Sequence, residues 1–165
     1  MDKPLNRACA KGSLRVVEIM VRDQGATINS TGICSGFSPL HAAAYGGHCN
    51  IVRYLIKMGA TVNTAIVSGS SETFWTLKTA TSPEPFLGYT PLMLAVLAKD
   101  PWSVNELLLA GARNDARGLD QKTAWDLLSE LTGTYDWDPV MEALASLLKK
   151  NATGLQRPPR DIAST

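Results

Sequence analysis

Apolar residues fall along this chain in short helical stripes separated by small or polar stops. The clearest stripe is Ile51, Val52, Leu55 and Ile56, at i, i+1, i+4 and i+5, which predicts a helix over about 50–58 ended by Gly59. Just upstream, Ser38-Pro39-Leu40-His41-Ala42-Ala43-Ala44 places a hydroxyl N-cap ahead of a proline at the first helical position, where a missing N–H costs nothing. The alanines predict a thin helix on which another can lie close, and Gly47 supplies a stop tolerant of positive φ. Helices this short are marginal alone, so a pair of them must draw its stability from stacking on a neighbour.

The neighbours are written in the same order. Thr90-Pro91-Leu92-Met93-Leu94-Ala95 is followed by Val104, Leu107-Leu108 and Gly111-Ala112. Upstream stand Pro4-Leu5, Ala8, Gly12, Val16-Val17, Met20-Val21, Gly25-Ala26 and Ile28-Asn29; a fourth start, Thr123-Ala124-Trp125-Asp126-Leu127-Leu128, begins 33 residues after Thr90. The second unit, with SPLHAAA, Gly47-His48, Ile51-Val52, Gly59-Ala60 and Asn63, resembles an ankyrin repeat, and the resemblance extends over roughly residues 3 to 150. It implies an all-α ankyrin-repeat solenoid of stacked helix-turn-helix pairs joined by β-hairpin-like fingers. The repeats run about 3–32, 33–64, 86–117 and 118–150, followed by a C-terminal tail, 151–165. The outer units read as caps: the first has Asn6 and Arg7 where an internal repeat has His and an apolar residue, and the last has Trp125 and an irregular 132–139 stretch before the amphipathic run 140–148.

Two departures stand out. Pro39 and Pro91 are 52 residues apart rather than 33, so nineteen residues are inserted, within 65–85. The insertion contains Ile66-Val67, a Ser/Gly turn and a β-branched and aromatic stretch with Phe74 and Trp75, which predicts an elongated β-hairpin finger. Its rings either cover the finger's own base or meet a partner. In the third unit, Lys99-Asp100-Pro101 replaces the Gly-His-apolar run, which predicts an altered inner turn.

Composition narrows the class. With 45% hydrophobic and 19% charged residues in 165, the chain reads as one ordinary domain large enough to bury a core without metal or disulfide. The net charge of +1 is unevenly placed: residues 1–57 hold seven Lys/Arg against three Asp/Glu, and residues 100–142 hold three against nine. That balance disfavours a general nucleic-acid or membrane binder. The N-terminus has no apolar segment of a secretory leader, and no apolar run is long enough to span a bilayer. Cys9, Cys34 and Cys49 form no CxxC and cannot all pair, so free thiols in the cytoplasm or nucleus are expected.

The chemistry is sparse. His41, His48 and Cys49 lack the paired spacing of a zinc site, and the resemblance gives both imidazoles a structural role, bonding loop backbone and joining repeats. No phosphate loop or hydrolase motif occurs, and Asp120, Asp126, Glu130, Asp136 and Asp138 read as a solvated face with capping carboxylates; no catalytic residue, metal or cofactor is expected. Asn63, like Asn29, sits in a setting that resembles the pattern asparaginyl hydroxylases accept in ankyrin repeats, beside its plainer role of tying a turn.

Function is therefore expected on the surface. The resemblance implies a concave binding face whose variable positions are Cys34, Ser35, Phe37, Tyr45, Gly46 and Met58, then Phe86, Leu87, Tyr89, Leu97, Ala98 and Ala110, then Leu119, Asp120 and Lys122. Phe37, Tyr45, Tyr89 and Leu97 would line one groove as exposed anchors, with Met58, Phe86, Lys122 and the finger's Phe74 and Trp75 around it. The expectation is a non-catalytic protein-binding module, monomeric on its own, with an unidentified protein partner. Two alternatives are a binder of a small or nucleotide-like molecule, and an effector or assembly chaperone that masks a partner's surface.

Overall fold

The computed structural model describes residues 4–31, 36–67, 86–132 and 139–152. They form eight helices: α1 Pro4–Ala10, α2 Leu14–Arg22, α3 Pro39–Tyr45, α4 Cys49–Lys57, α5 Pro91–Leu97, α6 Pro101–Leu109, α7 Ala124–Thr132 and α8 Pro139–Ala152. Each odd-numbered helix packs on its successor in an antiparallel pair, and the pairs stack into an inner row, α1-α3-α5-α7, and an outer row, α2-α4-α6-α8. The core runs between the rows as one ribbon, from Leu5 and Val17 through Leu40, Ile51 and Leu55 to Leu92, Leu107, Leu128 and Leu144.

Local signals explain the elements. Ser38 caps α3 by accepting from the His41 N–H, while the His41 side chain takes the Ser38 N–H, so two orphan donors are satisfied reciprocally. Ala42, Ala43 and Ala44 are buried because their small side chains let α1 and α5 approach α3 from both sides. The turn between the helices of a pair needs a positive φ: Gly12 (76°) and Gly47 (67°) supply it, and at the same place Lys99 adopts 55°. Lys99-Asp100-Pro101 thus keeps the inner turn that its composition was expected to alter. Asp100 completes it by accepting from the Trp102 N–H and the Ser103 hydroxyl, capping α6.

Among the described residues no strand forms, and the fingers are tied by isolated backbone hydrogen bonds. Ile66 N–H donates to Tyr89 O (3.1 Å), Gly88 N–H to Ile66 O (2.8 Å), and Leu119 N–H to Leu87 O (2.8 Å). The elongated hairpin expected over 65–85, with Phe74 and Trp75, lies outside the described residues from 68 onward, as do Cys34, Ser35, residues 133–138 and the tail from 153.

Candidate protein-binding face

Phe86, delivered by the return of the inserted segment, is the hub of a ring group on the inner-helix side. It meets Phe37, Tyr45 and Tyr89 edge-on, with centroids 6.4, 5.8 and 5.6 Å away, and Phe37 meets His41 at 5.9 Å. The group divides into floor and surface. Phe37 and Tyr89 are only 3% and 4% exposed, so they are not the groove-lining anchors expected of them. The reason is Phe86: its ring closes over both, and the Tyr89 hydroxyl turns away to donate to Asp120 Oδ2 at 2.7 Å. Burial, followed by the bond to Asp120, raises the Tyr89 pKa well above its ordinary value. Gly118 makes room for this ring, since a Cβ there would lie 2.6 Å from it. What remains accessible is half-buried Tyr45, Phe86 and Leu97.

Polar side chains join the units beneath that surface. Asn6 Nδ2 donates to Phe37 O (2.7 Å), and one unit later His41 Nε2 lies 3.3 Å from Tyr89 O, the equivalent carbonyl. Because Nδ1 of His41 accepts the Ser38 N–H, the ring is the neutral Nε2–H tautomer. Burial lowers its pKa to about 4, against the opposing pull of the Tyr89 and Thr64 backbone. His48 Nε2 contacts Ala10 O at 3.0 Å, so both imidazoles join neighbouring units. Asn29 brackets the next loop by donating to Gly59 O and accepting from Thr61 N–H; Asn63 does the same with Gly111 O and Arg113 N–H. The Cys9 thiol is pushed up to about 12 by burial, and that of Cys49 is raised by burial and the charge of Asp100. No three His, Cys, Asp or Glu residues among those described converge as metal ligands.

The sequence model of the family described as Ankyrin repeats (3 copies) matches residues 5–118, more than half of the chain. The chain belongs to the ankyrin-repeat family. It is also 39% identical over 62 residues to alpha-latrocrustotoxin-Lt1a of Latrodectus tredecimguttatus, a stretch that is 38% of this chain and 4% of that protein. The chain therefore spans a small part of the length of this relative. Ankyrin repeats are generally protein–protein interaction modules and typically non-enzymatic. The fourth helix pair, α7–α8, lies wholly beyond the matched stretch and stacks on the third, α7 on α5 and α8 on α6.

Within this ankyrin frame the other expected site residues fall in different places. Tyr45 and Leu97 hold the same position on α3 and α5, which Ala10 holds on α1 and Glu130 on α7. Lys122 is a paired cation: its Nζ lies 2.8 Å from Glu130 and 4.0 Å from Asp120. Met58 is exposed at the end of α4, on the outer row and outside the ring group. Gly46 is exposed beside the His48 ring, where a Cβ would collide at 2.6 Å. Sequence reasoning missed an apolar outer face on α6, where Trp102 and Leu109 are 71% and 77% exposed. Their i, i+7 spacing was the available signal, masked because the flanking Val104, Leu107 and Leu108 leave α6 apolar on nearly every side.

Proposed function

We propose that the inner-helix face of the second and third repeats binds a segment of a partner protein, seating an apolar side chain against Tyr45, Phe86 and Leu97. One observation carries this reading: half-buried Phe86 meets the buried rings of Phe37 and Tyr89 edge-on and stands beside half-buried Tyr45. A ring fixed by its neighbours loses little further entropy on binding, which is what makes an aromatic an effective anchor. Exposed Lys11 stands at one end of the row of inner-helix ends, and Glu130 with exposed Asp120 at the other. A segment carrying an acidic group toward the first repeat and a basic group toward the fourth fits that polarity, and the charges fix its direction more than its affinity. The free thiols of Cys9 and Cys49 support a reducing compartment, cytoplasm or nucleus, as the place of action.

The test is capture from native lysate with wild-type chain beside Tyr45→Ala/Leu97→Ala and a deletion of residues 68–84, each checked for helicity. The double variant removes accessible side-chain surface and leaves the buried rings in place. Loss of a stoichiometric partner with the double variant supports the face. Retention by it together with loss by the deletion moves the site to the inserted segment. A partner indifferent to both variants rejects the reading.

A further inference from the structure

The four repeats are not joined alike. Between the first and second, Asn6 reaches Phe37 O, His48 reaches Ala10 O and Asn29 brackets the Gly59–Thr61 loop. Between the second and third, His41 reaches Tyr89 O, Asn63 brackets the Gly111–Arg113 loop, and Arg53 of α4 makes two hydrogen bonds to Glu106 of α6. Between the third and fourth, the position of Asn6 and His41 is filled by Met93, which has no hydrogen to donate. The consequence is visible beside it, where the Thr90 hydroxyl, equivalent to the Ser38 hydroxyl that His41 engages, is buried with no hydrogen-bond partner.

The same junction also has a more polar edge. Ile28 and Val62 pack against the core, but at their position the third repeat has Asn114, and at the Asn29 and Asn63 position it has Asp115, whose carboxylate pairs with Arg113 of its own loop. Beside these two residues lies an open cleft of about 370 Å³, walled by Trp125 of α7 and by Leu148 and Lys149 of α8. The cross-junction hydrogen bonds between described residues, Tyr89 to Asp120 and Leu119 to Leu87, are both made by loops. The helices α7 and α8 rest on α5 and α6 through apolar side chains.

In a stacked repeat array stability is nearly a sum of unit and nearest-neighbour terms, so of the two junctions that flank the third repeat the one with fewer polar ties parts first. We propose that α7 and α8 open from the third repeat as one cooperative piece while the first three repeats stay folded. The opening uncovers the apolar flank of α5 and α6 and carries away Glu130 at the end of the inner-helix face, whether or not that face binds a partner.

Native-state hydrogen exchange on the full chain, followed helix by helix at several sub-denaturing urea concentrations, tests this. The best-protected amides of α7 and α8 are expected to exchange at least roughly tenfold faster than those of α3 to α6, with a urea dependence that is real but smaller than that of global unfolding. His41→Met is expected to carry α5 and α6 into the opening piece. Equal exchange in α3 through α8 overturns the proposal, because the repeats then part together. Fast α7–α8 exchange without urea dependence also overturns it, because that is fraying residue by residue. If His41→Met does not fold, the wild-type comparison decides alone.

Discussion

His41 shows how one side chain does structural work that pH can undo. Its neutral ring donates to the Tyr89 carbonyl and accepts from Ser38, and burial holds its pKa near 4, below the ordinary 6.5. Between those values the unfolded chain binds a proton that the folded chain refuses, so lowering the pH favours unfolding. The contribution is complete above pH 6.5 and is lost as the pH falls toward 4, the loss at pH 5 amounting to about 2 kcal/mol. Urea midpoints are expected to fall between pH 7 and pH 5, and His41→Asn is expected to flatten that slope. A slope unchanged in the variant assigns the effect to other groups. Backbone strain gives a second prediction at this scale. Gln121 holds φ 63° at the place where Gly36 (63°) and Gly88 (81°) stand. Left-handed backbone costs an ordinary residue roughly 1–2 kcal/mol, and a glycine gives back roughly 0.4–1 kcal/mol through unfolded-chain entropy. Gln121→Gly is therefore expected to stabilise by about 0.5–1 kcal/mol in denaturant melts.

At the scale of the element, two equivalent helix starts differ in a way that denaturation reads directly. Ser38 makes a complete capping box on α3, so Ser38→Ala is expected to cost about 1 kcal/mol and to loosen His41. Thr90 makes no side-chain cap on α5 and its hydroxyl is buried without a partner, so Thr90→Val is expected to be neutral or stabilising. Equal losses from both refute this difference. The central elements were legible in the sequence, since the starts of α3 and α5 are marked by Ser38-Pro39 and Thr90-Pro91 and the stops of α3 and α4 by Gly47 and Gly59, signals that act within a single turn. Burial of Phe37 and Tyr89 was not, because it depends on where Phe86 returns from a long insertion, a non-local fact that no local pattern carries. Asn6 was legible as a departure at the repeat's His position; that it bonds the same carbonyl as His41 does one unit later emerges only from the shared acceptor position, Phe37 O and Tyr89 O.

At the scale of the whole molecule, partner binding and the opening of the fourth repeat are linked wherever the partner touches both. A segment lying on Tyr45, Phe86 and Leu97 and reaching Asp120 or Glu130 binds only the closed array. Closed molecules predominate, so tightening the junction is expected to leave the equilibrium affinity nearly unchanged. The linkage appears instead in exchange protection. At a free partner concentration of roughly 100 times Kd, the α7–α8 opening is expected to become about 100-fold rarer, because only the closed state is populated by binding. A partner confined to the second and third repeats protects α3 to α6 and leaves the α7–α8 opening unaltered. Titrating the captured partner while following α7 and α8 therefore measures how far along the inner-helix face it extends, and a Glu130→Ala variant that removes the added α7–α8 protection while preserving binding places its basic end at the fourth repeat.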